Sequence, residues 1–399
     1  MKILIISSFY PPYIGGGAER MVEIQAVGLS KRGHQVTVLT LTNEKSRVEE
    51  LKGNIHIVRY PIPNIYWHLH SKLNSKIKRL VWHILDAYNF KSRILIKHFL
   101  MSNAFDVAIC NNIAGWSVSI WGVLHMFNIP IVQVVHDYYF LCSNSNMLKN
   151  GQVCRKQCGL CRVLKSIIPI EAVKVDALIG VSKTVLSKIE KFSLFENATH
   201  YVVYNAKNIK ETDTILYRRS NCPLRIGYIG TISPVKGVLN LIKAFKQRKI
   251  DAELLIAGDF ISKSYEFLLR KEAEGDACIQ FLGYYNSNDF FRLIDIAVFP
   301  SIWEEPFGLV AVEACANHIP CIVPFSGGLS EIISENVNGL YCDPTSPNSI
   351  LEKIELLYND YDLYCRLVKN CRHSINRFID VENMLIQYEN VILDCKRTL

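Results

Sequence analysis

The stretch IAVFPSIWEEPFGLVAVEACANHIPCIVPF, residues 296–325, contains a strand, a helix and a second strand in one unit. Residues 296–301 and 321–325 are short apolar runs of strand length, and residues 308–316 between them are apolar over more than two helical turns. Strands joined through a helix lie parallel in a sheet that is covered on both faces. The stretch therefore predicts an α/β unit whose loops meet at the carboxyl ends of its strands.

The same alternation of strand and helix patterns runs through all 399 residues. Further strand patterns lie at 2–8, 35–41, 55–60, 106–110, 131–136, 177–182, 200–205, 225–230, 252–258, 279–283 and 339–343. The polar segment 208–223 interrupts the alternation once, and the chain is long enough for two domains. We predict parallel-sheet domains at 1–210 and 222–375, and a C-terminal helix at 376–399 that packs back towards the first domain.

The composition is that of an ordinary folded protein, with 49% hydrophobic and 21% charged residues. The first residues favour a strand rather than a secretory signal, so we expect a cytoplasmic protein. Its 13 cysteines are then expected to be reduced thiols. Residues 107–136 lack charged side chains, but asparagine, glycine and proline divide them into strand, helix and strand, which does not fit a membrane span.

Two carboxylates stand out in the opening stretch. Glu305 directly precedes Pro306, which suits the first position of a helix, and Glu313 lies on the otherwise apolar helix that follows. An acid before a helix is also explained by the helix dipole, but an acid within an apolar helix is costly unless it has a partner. The pair therefore predicts a ligand with hydroxyl groups, held on either side of a helix N-terminus that attracts anions.

Two other loops have the composition of phosphate sites. Gly15, Gly16 and Gly17 follow the first strand, and Lys236 with Gly237 follows the strand at 225–230, each time just before a helix. A tight turn and a solvated surface lysine explain these residues equally well. The first loop does not satisfy G-x-G-x-x-G, and the second strand does not end in a ribose-binding acid, so the pattern does not fit a nicotinamide cofactor.

Taken together, these motifs resemble the retaining glycosyltransferases of family 4 (group 1). The segment EEPFGLVAVEACANHIP is similar to the E-x7-E signature of that family, and the similarity continues in SGGLSEIISENVNGLYCDP. Further matching segments are PPYIGGGAER, LSKRGHQVTVLT, HDYYFLC, GVSKTVLSKI, IGTISPVKGV and LLIAGD. The resemblance covers nearly the whole chain and implies the GT-B fold, in which two Rossmann-like domains face each other across a cleft.

The resemblance also implies roles for individual residues. Glu313 would bind the ribose of a nucleotide-sugar donor, Glu305 the transferred sugar, and Lys236 the leaving phosphate. The remaining implied donor contacts are His136 beside the sugar, the backbone of Phe307, Gly308 and Leu309, and the Gly16–Gly17 loop. Catalysis would then need no metal cofactor. Two positions depart from the family pattern, Thr231 in place of an arginine and His318 in place of a glycine whose left-handed turn histidine tolerates.

These expectations define a cytoplasmic retaining hexosyltransferase, peripheral on the inner face of the cell membrane. Its donor would be a UDP- or GDP-sugar and its acceptor a lipid-linked or other glycan, in bacterial surface-polysaccharide biosynthesis. Two alternatives remain open. One is a sugar-nucleotide epimerase or hydrolase of the same fold, and the other is a non-catalytic subunit that binds donor or docks to the membrane.

Four cysteines lie close together just after His136: Cys142, Cys154, Cys158 and Cys161. Four thiolates suit tetrahedral Zn²⁺, and C-x-x-C is a good chelating pair, so a structural zinc site is one interpretation. Their spacing is irregular for zinc sites, and reduced thiols in a loop are the other interpretation.

The segment 71–100 is strongly basic, with seven Lys or Arg residues against Asp86 alone. Cations interleaved with apolar residues could rest on anionic lipid, and a solvated helix face is the equally simple alternative. No recognition module for nucleic acid accompanies this charge.

Overall fold

The computed structural model describes residues 1–67, 69, 75–149, 151–210, 215, 217–218 and 222–397. The chain divides into two compact units. The first comprises Met1–Asn146, Arg155–Lys207 and Asp380–Leu399, and the second comprises Met147–Cys154 and Asn208–Ile379. Half of the predicted linker 208–223, namely residues 211–214, 216 and 219–221, lies outside the described residues.

The strands, in chain order, are β1 Lys2–Ile6, β2 Gln35–Thr42, β3 Val48–Lys52, β4 Ile55–Pro61, β5 Val107–Cys110, β6 Ile131–Val135, β7 Leu148–Lys149, β8 Gln152–Val153, β9 Ala177–Gly180, β10 Thr199–Val202, β11 Leu224–Ile229, β12 Ala252–Ala257, β13 Ile279–Gly283, β14 Ile296–Val298, β15 Cys321–Pro324 and β16 Gly339–Cys342. The helices are α1 Gly17–Lys31, α2 Lys76–Ala87, α3 Phe90–Met101, α4 Ser119–Met126, α5 Gly159–Leu164, α6 Ile168–Ala172, α7 Lys183–Glu190, α8 Val238–Lys246, α9 Lys263–Ala273, α10 Ser287–Phe291, α11 Leu309–Ala316, α12 Leu329–Ile332, α13 Pro347–Asn359, α14 Tyr361–Ser374, α15 Asn376–Ile379 and α16 Val381–Arg397. A 3₁₀ turn, Pro234–Lys236, precedes α8.

The first unit is built on an eight-stranded sheet in the order β10-β9-β6-β5-β1-β2-β4-β3. Its strands are parallel except β3, which pairs antiparallel with β4 at the edge. The sequence pattern did not predict β3, because all five of its residues are exposed and three of them are charged. Helix α16 belongs to this unit and packs on α1, where Glu389 accepts hydrogen bonds from Arg32 and pairs with His34.

The second unit contains a parallel six-stranded sheet in the order β13-β12-β11-β14-β15-β16. Counted within this sheet, the order is 3-2-1-4-5-6, that of a doubly wound Rossmann-like unit. The strand order reverses between β11 and β14, so the loops after these two strands flank the crevice where such sheets bind ligands. The predicted fold class, an α/β chain with two Rossmann-like units, is confirmed.

The uncharged stretch of the first unit folds as strand β5, helix α4 and strand β6, as its sequence predicts. Trp116 and Trp121 in this stretch are completely buried. No helix within the described ranges combines the length and the apolar character needed to cross a membrane.

A buried ionic network holds the segment that follows β6. The Tyr139 hydroxyl donates a hydrogen bond to Asp86 Oδ2 over 2.7 Å, and the Gly115 amide donates to Asp86 Oδ1 over 2.6 Å. The Lys165 ammonium lies 3.7 Å from the centre of the Tyr139 ring. Burial raises the pKa of Asp86 and lowers that of Lys165, and the opposite charge of each opposes the shift of the other. The network thus ties α2 and the chain after α5 to the end of β6.

We predict that Lys165→Met destabilises the protein by about 3–5 kcal/mol at neutral pH, because it leaves the buried Asp86 carboxylate without its cation. Loss of the cation raises the folded-state pKa of Asp86 further above its unfolded value. The folded variant then binds more protons than the unfolded chain, so its stability falls as the pH rises. Urea unfolding at pH 5 and pH 8 is expected to show the larger deficit at pH 8.

The matched control is Lys97→Met, which changes an exposed lysine on α3 and is expected to leave stability unchanged. The double variant Lys165→Met/Asp86→Asn is expected to recover part of the loss. A deficit that is equal at both pH values would show that Lys165 acts through packing alone.

Candidate active site

The strand order of the second sheet reverses between β11 and β14, and we call this place its switch point. The loops after these two strands contain Lys236 and Glu305, which the sequence singled out. Residues 230–237 follow β11 and residues 299–308 follow β14. The loops are joined by backbone, since the amide of Ile302 donates to the carbonyl of Val235 over 2.8 Å. This contact brings residues that are about 70 positions apart in sequence into one site.

An ion pair forms the centre of this site. The Lys236 ammonium donates to Glu305 Oε1 over 2.7 Å, and the Ser301 hydroxyl donates to the same oxygen. Glu305 is 7% exposed, and the ammonium also lies 5.6 Å from the centre of the Trp303 ring. A carboxylate buried this far from water requires such partners to stay charged. The structure thus brings together Lys236 and Glu305, and adds Ser301 and Trp303, which the sequence did not single out.

Gly237 permits the tight approach of the two loops. Its φ of 73° lies in the left-handed region, and a Cβ atom there would lie 1.9 Å from the carbonyl oxygen of Pro300. Only glycine fits both conditions. It is the N-cap of α8, so the positive N-terminal end of α8 directly follows Lys236.

Helix α11 begins at Leu309, so the prediction that Pro306 opens this helix is wrong. Gly308, with φ of 109°, is the N-cap, and a Cβ atom on it would lie 2.5 Å from Leu329 Cδ2. The left-handed turn at Gly308 delays the helix and leaves Pro306 in the loop. Phe307 is buried and packs edge-on against Phe378, with ring centres 5.5 Å apart, which fixes the position of the cap.

Glu313 is the one charged residue in the sequence of α11 and is half-buried. It lies five residues from Gly308, which corresponds to roughly 7–8 Å along the axis. Its neighbours Val312 and Ala314 are fully buried. Glu305 therefore precedes the N-terminus of α11, and Glu313 lies more than one turn along the helix.

A third loop, the one after β15, also belongs to the site. The sequence did not indicate its contribution. The Gly328 amide donates to the carbonyl of Glu305 over 2.6 Å. A Cβ atom on Gly328 would lie 2.4 Å from Phe307 Cα, and one on Gly327 would lie 2.6 Å from the Glu305 amide. The signal for this contact was the glycine pair after a buried strand, a pattern that indicates close backbone approach.

The two departures from the family pattern have different surroundings. Thr231 is exposed just after β11, and its carbonyl accepts a hydrogen bond from the Tyr228 hydroxyl over 3.0 Å. Burial, with the nearby charge of Glu305, raises the pKa of Tyr228 well above its ordinary value, so Tyr228 is neutral. His318 has a φ of 62°, which confirms that histidine takes the left-handed turn.

In the first unit a carboxylate of the chain itself bonds to the glycine loop. The Gly16 amide donates to Glu19 Oε2 over 2.8 Å, and Glu19 is 5% exposed. This carboxylate caps the N-terminus of α1. Gly16 has an extended backbone, and Gly17 is the first residue of α1. The donor contacts expected from these two glycines stay a prediction, and Glu19 is the residue that the sequence missed.

His136 directly follows β6 and is half-buried. One ring nitrogen, Nε2, lies 2.8 Å from Asn111 Oδ1. Burial lowers the pKa of His136 to about 4, so the ring is neutral at physiological pH. Burial also raises the pKa of the adjacent Asp137 to about 6, and the charge of Glu19 contributes to that rise. A neutral imidazole can donate or accept a single hydrogen bond without bringing charge to a sugar.

The four cysteines of the predicted zinc site differ in burial and in the unit to which they belong. Cys142 and Cys161 are buried, and Cys158 is the half-buried N-cap of α5. Burial raises the pKa of Cys161 to about 11, and the neighbouring Cys142 and Cys158 add to the rise. Cys154 is grouped with the second unit. Within the described part of the chain, no group of three or more His, Cys, Asp or Glu residues is arranged to hold a metal ion. The structural zinc site stays a prediction.

Comparison with known proteins gives the same assignment for both units. Residues 218–374 match the family model for glycosyl transferases group 1, and residues 15–210 match that for glycosyltransferase family 4. An uncharacterized 42.6 kDa protein in the cps region of Klebsiella pneumoniae is 28% identical over 83% of this chain and 87% of its own length. An uncharacterized glycosyltransferase of Methanocaldococcus jannaschii is 27% identical over 98% of this chain and 97% of its own. The lipopolysaccharide 1,2-N-acetylglucosaminetransferase of Salmonella typhimurium is 32% identical over 46% of this chain and 49% of its own.

Solved structures show the same fold. Sucrose-phosphate synthase from Thermosynechococcus elongatus superposes with a TM-score of 0.78 at 18% identity and covers 100% of both chains. Anabaena HepE, solved in complex with UDP, superposes with a TM-score of 0.73 at 16% identity over 99% of this chain and 100% of its own. The motifs, the two family models and this GT-B architecture agree, and the chain belongs to the family 4 (group 1) glycosyltransferases.

Proposed function

We propose that this glycosyltransferase moves a hexose from a UDP- or GDP-sugar to a lipid-linked or other glycan acceptor with retention of the anomeric configuration. The observation that carries the proposal is the part-buried Lys236–Glu305 ion pair at the switch point of the second sheet. It combines one cation with one carboxylate in the loops that precede helices α8 and α11. A sugar diphosphate needs both kinds of group.

Lys236 would stabilise the departing diphosphate. An ammonium group has three donor hydrogens, so the bond to Glu305 leaves others for phosphate oxygens. The positive N-terminal ends of α8 and α11 add to this field. Charge that develops on the leaving phosphate would therefore be balanced by groups fixed in advance, which is the basis of our proposal that catalysis needs no divalent metal.

The two carboxylates would orient the sugars of the donor. Glu305, held by Lys236 and Ser301, would accept hydrogen bonds from hydroxyls of the transferred hexose. Glu313 would accept from the two ribose hydroxyls, as the family motif implies. The backbone amides at Gly308 and Leu309 would bind the diphosphate between them. Neutral His136 would contribute a hydrogen bond to the hexose.

The setting that we propose is surface-polysaccharide biosynthesis on the inner face of a bacterial membrane. The relative named as a lipopolysaccharide N-acetylglucosaminetransferase supports this proposal, and the UDP bound to Anabaena HepE supports a nucleotide-sugar donor. Thr231 favours a second candidate, a non-catalytic donor-binding subunit, because a cation of the family pattern is missing there. Turnover that depends on added acceptor separates a transferase from this subunit and from an epimerase or hydrolase.

We predict that Glu313→Ala weakens donor binding at least about 100-fold, because two hydrogen bonds to a charged group are lost. The measurement is calorimetry with a panel of UDP- and GDP-sugars in EDTA. The control Glu352→Ala removes an exposed carboxylate on α13 and is expected to bind donor like the wild type. Unchanged affinity in a folded Glu313→Ala protein would remove Glu313 from the donor site.

We further predict that Lys236→Met lowers affinity for the nucleoside diphosphate about 10- to 100-fold but changes affinity for the free nucleoside little. The buried charge of Glu305 would then be unpaired and would itself repel phosphate. The double variant Lys236→Met/Glu305→Gln removes that repulsion and is expected to remain defective. Lys243→Met changes an exposed lysine on α8, the helix that follows Lys236, and serves as the control. Normal diphosphate binding by the double variant would contradict the assigned role.

A further inference from the structure

Helix α2 has its apolar face directed towards solvent. Five apolar side chains at helical spacing, Ile77, Leu80, Val81, Ile84 and Leu85, are between 39% and 75% exposed. The residues that α2 buries are Trp82 and Asp86, which lie on the opposite side. A surface helix of a globular protein normally buries its apolar stripe. Among the described residues of the first unit, none covers this stripe, so it is available to a partner.

Bonds on the buried side fix the helix in this orientation. The Trp82 indole N–H donates to the carbonyl of Tyr66 over 3.2 Å, and the Trp82 carbonyl accepts from Asn64. One turn further on, Asp86 accepts from Gly115 and Tyr139 inside the ionic network. Rotating the apolar stripe inward would break these bonds and expose Trp82. The contacts on the buried side therefore keep the stripe exposed.

Further exposed apolar side chains lie on the neighbouring helix. Helix α5 packs against α2, and two of its side chains, Leu160 and Val163, are 54% and 71% exposed. We call this surface, formed by the five apolar residues of α2 with Leu160 and Val163, the α2–α5 face. Contiguous exposed apolar patches rimmed by polar residues mark interaction surfaces.

Charge identifies the partner of the α2–α5 face. Exposed cations lie on the same helices and directly before α5: Lys76, Lys78, Arg79, Arg155, Lys156 and Arg162. From residue 51 to 105 the sequence contains a single acid, the buried Asp86, and from 138 to 170 it contains none. Apolar side chains flanked by Lys and Arg are the composition of helices that lie in the interface of an anionic bilayer. A second copy of this face would bring like charges together.

We propose that the α2–α5 face docks on a bilayer that contains anionic lipids, with α2 lying in the headgroup layer. The inference deepens the proposed function, since it rests on an acceptor that is held at a membrane. It also distinguishes between the two interpretations of the basic segment 71–100, whose residues 71–74 lie outside the described part of the chain. A helix face that is merely solvated would carry the cations but would lack the exposed apolar stripe.

Flotation of the full chain with vesicles tests this docking surface. The vesicles are phosphatidylcholine alone or an equimolar mixture with phosphatidylglycerol. The wild type is expected to float with the mixed vesicles only. Ile77→Ser/Ile84→Ser is expected to lower the partition coefficient by at least about tenfold, and Lys76→Gln/Lys78→Gln by about 30-fold.

Two control variants match these changes on α9 of the second unit. Phe267→Ser/Leu268→Ser removes equally exposed apolar side chains, and Lys263→Gln/Lys271→Gln removes exposed cations. Both are expected to float like the wild type. Equal losses in the α2 and α9 variants, or no flotation of the wild type, would overturn the proposal. A dimer in sedimentation equilibrium that Ile77→Ser/Ile84→Ser dissolves would overturn it in favour of a second copy.

Donor calorimetry without vesicles separates this proposal from the proposed function. The α2 variants are expected to bind nucleotide sugar like the wild type, because neither change touches Lys236, Glu305 or Glu313. Donor binding without flotation would reject the docking face and leave the transferase assignment intact. Flotation without donor binding would support the docking face and contradict the proposed donor site.

Discussion

The Lys236–Glu305 ion pair is the interaction on which the second unit's site depends. Glu305 is 7% exposed, and a carboxylate removed from water in this way is costly without hydrogen-bond donors, which Lys236 and Ser301 supply. Their approach requires the loops after β11 and β14 to touch, which Gly237 allows because a side chain there would collide with Pro300. Gly328 makes the corresponding contact with the backbone of Glu305. Parallel strand order and glycine positions together create the charge arrangement.

The sequence predicted the parts of this architecture that arise from local pattern. Alternating apolar runs predicted both parallel sheets. The positions of Lys236 and Glu305 after strands marked each as a candidate site residue, but their ion pair was not predicted. Side-chain and backbone contacts between distant segments were not predictable. The Asp86–Tyr139 bond joins residues 53 positions apart, and no periodicity indicates it. The start of α11 was predicted wrongly because the left-handed turn at Gly308, rather than Pro306, sets the first helical residue.

The two units use helix N-termini in different ways. In the first unit the N-terminus of α1 is capped by its own Glu19, which accepts from the Gly16 amide. A second anion at that point would meet a buried carboxylate. In the second unit Lys236 adjoins the N-cap of α8, so this helix end has additional positive charge. The difference in charge, which glycine-rich loops alone do not reveal, is a physical reason for placing the donor phosphates on the second unit.

Amphipathic pattern alone gives the orientation of α2 incorrectly, because the stripe at Ile77 and Ile84 would ordinarily be assigned to the core. The decisive groups are on the other side, where Asp86 is bonded to Gly115 and to Tyr139. Tyr139 lies three residues after His136, and its own amide is bonded to Asp137. The helix with the apolar exposed face is thus joined, through one buried carboxylate, to the segment that carries His136. A bilayer bound at α2 would therefore be held at a fixed distance from that segment, because both bonds of Asp86 in the connection are buried.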